Sequence, residues 1–351
     1  MRCCRCEETD KKEFSNTQLR KNATSRKCKA CLQLFDQGDD EVKLGTLVAW
    51  LKLHGGVFPD LTVKHIEGGF RGVRTKRRIP KSKTFMKIPL KCIITDTLAK
   101  NSSIGKALSL SKCTPRSHHT WLALFLLQEM TNNNNSFWKT YLDVLPRTFE
   151  NIPYFYSKAL RKRLEPTFAN DMLRYREHSL AKEHAEIVAA IPEFPYSLKE
   201  FVWARTVVIT RVFGFQQNGD KVEGLVPMAD MLNHQNPPHS SWGFDNELNC
   251  FTMMANRTLL SGCEVFDSYG PKCNSRYLVN YGFTIEKNNQ QNNQTAFFIS
   301  SENLHGLKGH LVGKPRSYDD GFSGYTGLVT EQLETKVTVE KFFRFQVSKT
   351  N

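Results

Sequence analysis

The sequence predicts an α+β fold in which strand-forming segments flank a helical insert, with a small metal-binding module ahead of them. Three observations carry this expectation. Five of the ten cysteines fall within the first 31 residues. Strand-like runs such as Thr84-Phe-Met-Lys-Ile-Pro89 and helical patterns such as Thr120 to Met130 and Leu198 to Val212 do not alternate regularly, which argues against a doubly wound parallel sheet. Texture also changes along the chain, giving a Cys-rich basic segment at 1–35, a globular stretch at 44–284 with a helical insert at about 97–215, and a remainder at 285–351. At 351 residues the chain is long enough to bury a full hydrophobic core.

The first element is set by its cysteines. Cys3 and Cys6 form one C-x-x-C pair and Cys28 and Cys31 a second, with 21 residues between the pairs. Two such knuckles supply four thiolates to a tetrahedral zinc ion, whose binding folds a segment too short to fold alone. Cys4 lies inside the first knuckle and is an alternative to Cys3. Four thiolates leave zinc no open position, so the module is expected to dock a partner rather than to catalyse. The polar stretch Gln37-Gly38-Asp39-Asp40 reads as a linker to the rest. Clustered cysteines, no apolar run long enough to span a bilayer and no apolar signal-peptide core suggest a soluble intracellular protein of the cytoplasm or nucleus, with no membrane partner.

Charge adds a second constraint. The formal net charge is +14, which favours an acidic partner, whether nucleic acid, an acidic protein face or an anionic organelle surface. Residues 1–31 carry nine Lys or Arg, and the run from Arg71 to Lys83 holds seven basic residues and no acid. Two asparagine-rich patches, Asn132 to Asn135 and Asn288 to Asn293, read as loops.

The later elements carry the chemistry. Gly224-Leu-Val-Pro-Met-Ala-Asp-Met-Leu-Asn-His234 places Asp230, Asn233 and His234 at the end of an apolar run, where such groups either cap a turn or hold a ligand. Asp267-Ser-Tyr-Gly-Pro-Lys-Cys-Asn274 and Asn280-Tyr-Gly-Phe283 follow. With these, Gly69-Phe-Arg-Gly-Val73 and Ile79-Pro80, Phe137-Trp138-Lys-Thr-Tyr141 and Leu145-Pro146, Trp203-Ala-Arg205, and Thr210-Arg-Val-Phe213 occur in an order that resembles the SET-domain methyltransferases. The resemblance is to the branch with a long helical insert that includes the Rubisco large-subunit methyltransferase and its histidine-methylating relatives. It covers about residues 44–284. The N-terminal segment, with Lys12-Glu-Phe-Ser15 and Gln18-Leu-Arg-Lys21 between its knuckles, is similar to the zinc modules of heterochromatin adaptor proteins. That likeness implies an acidic protein or chromatin partner.

The main resemblance implies SET-type sheets with a knot-like crossing, S-adenosylmethionine as cofactor, and methyl transfer to a side chain of a protein substrate. It implies that Arg71, Gly72 and Val73 pass under the cofactor, with Gly72 letting the backbone approach closely. Arg211 would face the cofactor carboxylate, and Asp230, Asn233 and His234 would complete the grip. Tyr269 would stand at the transfer centre as an orienting group that also touches the cofactor, and Tyr281 would line the target channel. Phe213 and Ala229 match an aromatic wall and a small floor, as in lysine-directed members, whereas the histidine-methylating branch has a polar residue and a large aromatic there. Lysine methylation is therefore expected, with histidine methylation or a non-catalytic interaction platform as alternatives. Residues 285–351 match only a short or incomplete form of the C-terminal lobe that docks substrate in this branch, with weak helical periodicity around Glu331 to Phe345.

Overall fold

The structure is a computed structural model that describes residues 29–66, 71–111, 113–115, 117–165, 167–191, 193–288, 294–300, 315–317 and 323–330, with side chains for those between 39 and 288 other than 133. Helix α1 (Lys29–Leu53) comes first. It runs through Gln37 to Asp40, so the expected linker is helical. Leu44, Leu47 and Leu51 form a buried stripe at helical spacing, and Asp39 pairs with Lys43 one turn on. Asp40 reaches His65 at 3.3 Å and Arg71 at 3.6 Å. Gly38 lies inside this helix, where glycine costs about 1 kcal/mol relative to alanine.

Four strands follow: β1 (Leu61–His65), β2 (Arg71–Thr75), β3 (Thr84–Pro89) and β4 (Ile94–Thr95). The helical stretch then comprises α2 (Asp96–Asn101), α3 (Ser103–Leu110), α4 (His118–Asn132), α5 (Lys139–Val144), α6 (Lys158–Leu164), α7 (Phe168–Ala190) and α8 (Leu198–Arg211). Asn132 ends α4, and Asn133–Asn135 form a 3-10 turn rather than an irregular loop. Strands return as β5 (Val212–Gln217), β6 (Asp220–Leu225), β7 (Asn233–His234), β8 (Ser240–Asp245), β9 (Cys250–Ala255) and β10 (Phe266–Asp267), before α9 (Asn274–Tyr281). The described part of the C-terminal segment is an antiparallel sheet of β11 (Gln294–Ser300), β12 (Pro315–Ser317) and β13 (Ser323–Thr330), ordered β11-β13-β12. The helical expectation for Glu331 to Phe345 lies outside the described residues.

The chain divides into two compact units. One holds the residues up to Thr97, Gln128–Leu145 and Arg211–Asp267; the other holds Leu98–Leu127, Pro146–Thr210 and the chain from Ser268 onward. In the first unit, β3-β9-β8 and β4-β6-β5 form three-stranded antiparallel sheets, and β1 pairs with β2. Alternation along β5 turns Phe213 and Phe215 inward, where they meet Phe251, Trp242 and Phe244 in ring contacts of 5.1 to 5.8 Å. In the second unit, α7 buries only Ala169, Leu173, Leu180 and Ile187, a single stripe consistent with its polar remainder. Among the described residues, no helix is long and apolar enough to cross a membrane.

Candidate active site

In the first unit the site is built from the β1–β2 hairpin, the end of α8 and the turn after β6. Met228, fully buried, holds φ at +73°, an uncommon positive-φ conformation for a residue with a Cβ. It turns the chain into the 3-10 segment Ala229–Met231, which carries Asp230 inward. Tyr141, fully buried on α5, donates its hydroxyl to Asp230 Oδ2 at 2.8 Å. Arg211 Nη1 donates to the same oxygen and to the Asp230 carbonyl, both at 3.1 Å. Burial raises the Tyr141 phenol well above its usual range, and neighbouring Asp230 raises it further, so this hydroxyl keeps its proton and acts as a donor.

Arg71 closes the cluster. Its Nη2 donates to the Val144 carbonyl at 2.7 Å, while Nη1 lies 3.6 Å from Asp40. Burial lowers its pKa below the usual guanidinium value; Asp40 and Asp230 oppose this shift and Arg211 adds to it. Among the described residues, Arg71 Nη1 and Asp230 Oδ1 are both buried without a hydrogen-bond partner. A buried cation and a buried anion, each with spare bonding capacity, suit a ligand that carries both a carboxylate and an ammonium.

Asn233 begins β7, which pairs in parallel with β10, Asn233 opposite Phe266 and His234 opposite Asp267. Both Asn233 amide hydrogens are engaged, with Nδ2 donating to the Arg71 carbonyl at 2.9 Å and to Glu264 Oε1 at 2.7 Å. The side chain therefore clamps strand β2 to the segment leading into β10. Gly72 is needed at this junction, because a Cβ there would lie 2.6 Å from Glu264 Oε1 and 3.2 Å from Asn233 Nδ2. The close approach that glycine permits is thus to Glu264. Val73 is buried and accepts from Val265 N at 2.8 Å, which extends the same pairing. Ala229 is buried, and the Phe213 ring meets Trp242 edge-on at 5.3 Å.

The second unit holds Tyr269 and Tyr281, with ring centroids 4.9 Å apart and planes at 33°. Phe283 lies 6.3 and 6.1 Å from them and stacks on Tyr277 at 5.1 Å. Lys272 donates to the Tyr269 carbonyl, with its ammonium 5.6 Å from the Tyr281 ring centroid. Helix α9 ends at Tyr281, capped by Gly282 at φ +80°, where a Cβ would meet Asn151 at 2.5 Å. Arg176 on α7 holds this end, donating to the Val279 carbonyl at 2.7 Å and to the Asn280 side chain, while Asn151 donates to the Tyr281 carbonyl at 3.3 Å. Burial pushes the Tyr281 phenol up to about 12, Tyr277 adds to the rise and Arg176 opposes it. At neutral pH this hydroxyl is a donor.

The predicted residues thus fall into two groups: Arg71, Gly72, Val73, Arg211, Phe213, Ala229, Asp230, Asn233 and His234 in the first unit, Tyr269 and Tyr281 in the second. Sequence reasoning missed Asp40, Glu264, Arg176 and Asn151, and gave Tyr141 no role. For zinc, Cys3, Cys6 and Cys28 lie outside the described residues, and Cys31 is described only as helical backbone. Among the described residues, no group of three or more His, Cys, Asp or Glu is placed to hold a metal ion.

The SET domain family matches residues 70–270, more than half of the chain, and the protein belongs to that family. The SET domain of LSMT bound to lysine and AdoHcy superposes with a TM-score of 0.64 at 20% identity, covering 74% of this chain and 60% of that one. Rubisco LSMT bound to AdoMet gives 0.63 at 19% identity, covering 82% and 66%. These likenesses concern the fold. Among curated proteins, the actin-histidine N-methyltransferase of Canis lupus familiaris is 25% identical over 303 residues, 82% of this chain and 51% of the relative. That of Gallus gallus is 24% identical over 302 residues, 82% and 50%. The chain spans about half the length of these curated relatives.

Proposed function

We propose that the protein is an S-adenosylmethionine-dependent protein methyltransferase that acts on lysine. What supports the lysine reading is that an aromatic residue, Phe213, and a small one, Ala229, stand at the two positions that the motif resemblance gives to the wall and floor of the target channel, a combination that suits an alkyl chain. An imidazole would call for a hydrogen-bonding partner at such a position. The actin-histidine relatives favour histidine as the second reading, whereas the motif resemblance gives that branch a polar residue and a large aromatic where this chain has Phe213 and Ala229.

The residues around Asp230 fit the cofactor. Arg71 and Arg211 would hold its carboxylate and Asp230 Oδ1 its ammonium, with Gly72, Val73, Asn233 and His234 shaping the surrounding backbone. When bound, S-adenosylmethionine supplies a methyl group on a sulfonium centre. A target lysine must first lose a proton, since its ordinary pKa is roughly 10.4. Burial against Tyr269 and Tyr281 lowers that value, because an apolar wall penalises the ammonium. Tyr281, protonated at neutral pH, orients the amine rather than accepting its proton, and Tyr269 has the same orienting role. The four cysteines Cys3, Cys6, Cys28 and Cys31 are assigned to a structural zinc, and the module to docking a protein partner.

The test is transfer of labelled methyl to proteins of a cell extract by the full chain, followed by acid hydrolysis and amino-acid analysis. Label in methyllysine supports the reading, and label confined to methylhistidine overturns the lysine assignment. Cofactor binding without any transfer would favour a platform. Metal analysis of the full chain before and after Cys28→Ser tests the zinc module separately, with loss of bound zinc expected.

A further inference from the structure

The basic run from Arg71 to Lys83 is larger than the site requires. Beyond β2 it forms a connection zipped to the segment after β9. Ile79 and Leu259 exchange backbone hydrogen bonds at 2.9 Å, and Ser82 N and Ala255 N bond across at 2.8 and 3.0 Å. Gly262 N donates to the Thr75 carbonyl at 2.9 Å, and Ser261 Oγ to the Lys76 carbonyl at 2.9 Å. Ile79 and Leu259 are each 1% exposed, so the pair is anchored from below. What it presents outward is Lys76, Arg78, Lys81, Lys83 and Arg257, all exposed. Asp60 pairs with Arg77, and among the described residues none of these five has an ion-pair partner. Residues 254–263 contain no acid.

Exposed apolar side chains accompany these cations. Leu260, next to the Ile79–Leu259 bridge, is 66% exposed, and Met254, near the end of β9, is 41% exposed. A phosphate backbone has no use for such side chains, and a single strand would call for exposed aromatic rings to stack on, which these two segments lack. Exposed apolar side chains interspersed with exposed cations instead suit a protein partner. We propose that these two segments form a docking surface for an acidic segment of a partner protein, one carrying apolar residues that cover Leu260 and Met254. The surface belongs to the first unit and is independent of the methyl-transfer reading.

Fluorescence anisotropy tests it, using the full chain with a labelled peptide of Glu and Asp around a central Leu, and a labelled DNA duplex as the second probe. The variants are Lys81→Glu with Lys83→Glu, and Leu260→Ser, all exposed positions whose thermal unfolding should match the parent. The peptide is expected to bind, to weaken about tenfold or more on charge reversal, and to weaken several-fold in Leu260→Ser. Duplex binding should not respond to Leu260→Ser. Peptide binding that is absent, or unchanged in both variants, overturns the proposal. Tighter binding of the duplex than of the peptide, lost on charge reversal and indifferent to Leu260→Ser, overturns it in favour of nucleic acid.

Discussion

Asn233 donates its side-chain amide to Glu264 Oε1 at 2.7 Å and to the Arg71 carbonyl at 2.9 Å, which joins the turn after β6 to the hairpin that presents Arg71. Removing Glu264 leaves one amide hydrogen without its acceptor in a partly buried place, at a cost of about 1 to 3 kcal/mol. Glu264→Ala is therefore expected to lower the melting temperature and to weaken S-adenosylhomocysteine binding in calorimetry. Glu264→Gln, which keeps an acceptor oxygen, should restore most of both. Equal losses in the two variants would show that the carboxylate charge, not the hydrogen bond, is what matters.

The same junction makes a sharper prediction for Gly72. A methyl at this position meets Glu264 Oε1 at 2.6 Å but Asn233 Nδ2 only at 3.2 Å, a distance that a small shift relieves. Gly72→Ala alone should destabilise the fold and abolish measurable cofactor binding. In a Glu264→Ala background, the added cost of Gly72→Ala should fall by more than half, because the clashing atom is gone. Additive losses in the double-mutant cycle would place the strain elsewhere.

Around Asp230, two substitutions separate a hydrogen bond from a charge. Tyr141→Phe removes one donor from Asp230 Oδ2 and leaves Arg211 in place, so a loss of about 1 to 2 kcal/mol in unfolding free energy is expected. Asp230→Ala strips the counter-charge from a mostly buried guanidinium and should cost about 3 to 5 kcal/mol, with cofactor binding lost. Urea unfolding of the three proteins checks the order, and a Tyr141→Phe cost as large as that of Asp230→Ala would contradict it.

The parts legible in the sequence were those with a local pattern. Thr84 to Pro89 is a β-like apolar run and is β3, Leu198 to Val212 has helical spacing and is α8 as far as Arg211, and the order of motifs pointed to the SET family. The supporting contacts were not legible, because they link residues far apart in the chain. Tyr141 and Asp230 are 89 residues apart, and Arg176 and Val279 are 103 apart; no periodicity encodes either pair. Gln37 to Asp40 misled for a related reason: its polar residues resemble a linker until Asp40 is seen against Arg71 and His65. Glu264, a single acid between Cys263 and Val265, gives no signal until Gly72 and Asn233 are brought to it.

His119 on α4 makes the second unit sensitive to mild acid. Burial lowers its pKa from 6.5 to about 4, with Arg205, His118 and Arg176 pushing the same way. The folded protein therefore holds this ring neutral where the unfolded chain already binds a proton. Stability is full above pH 6.5 and declines as the pH falls towards about 4, by at most roughly 3 kcal/mol. Urea midpoints at pH 7 and pH 5 should differ in the parent protein. His119→Gln, which cannot take up a proton, should lose less stability between the two. An identical drop in the variant would assign the acid sensitivity to carboxylates instead, and leave the neutral His119 ring without energetic consequence.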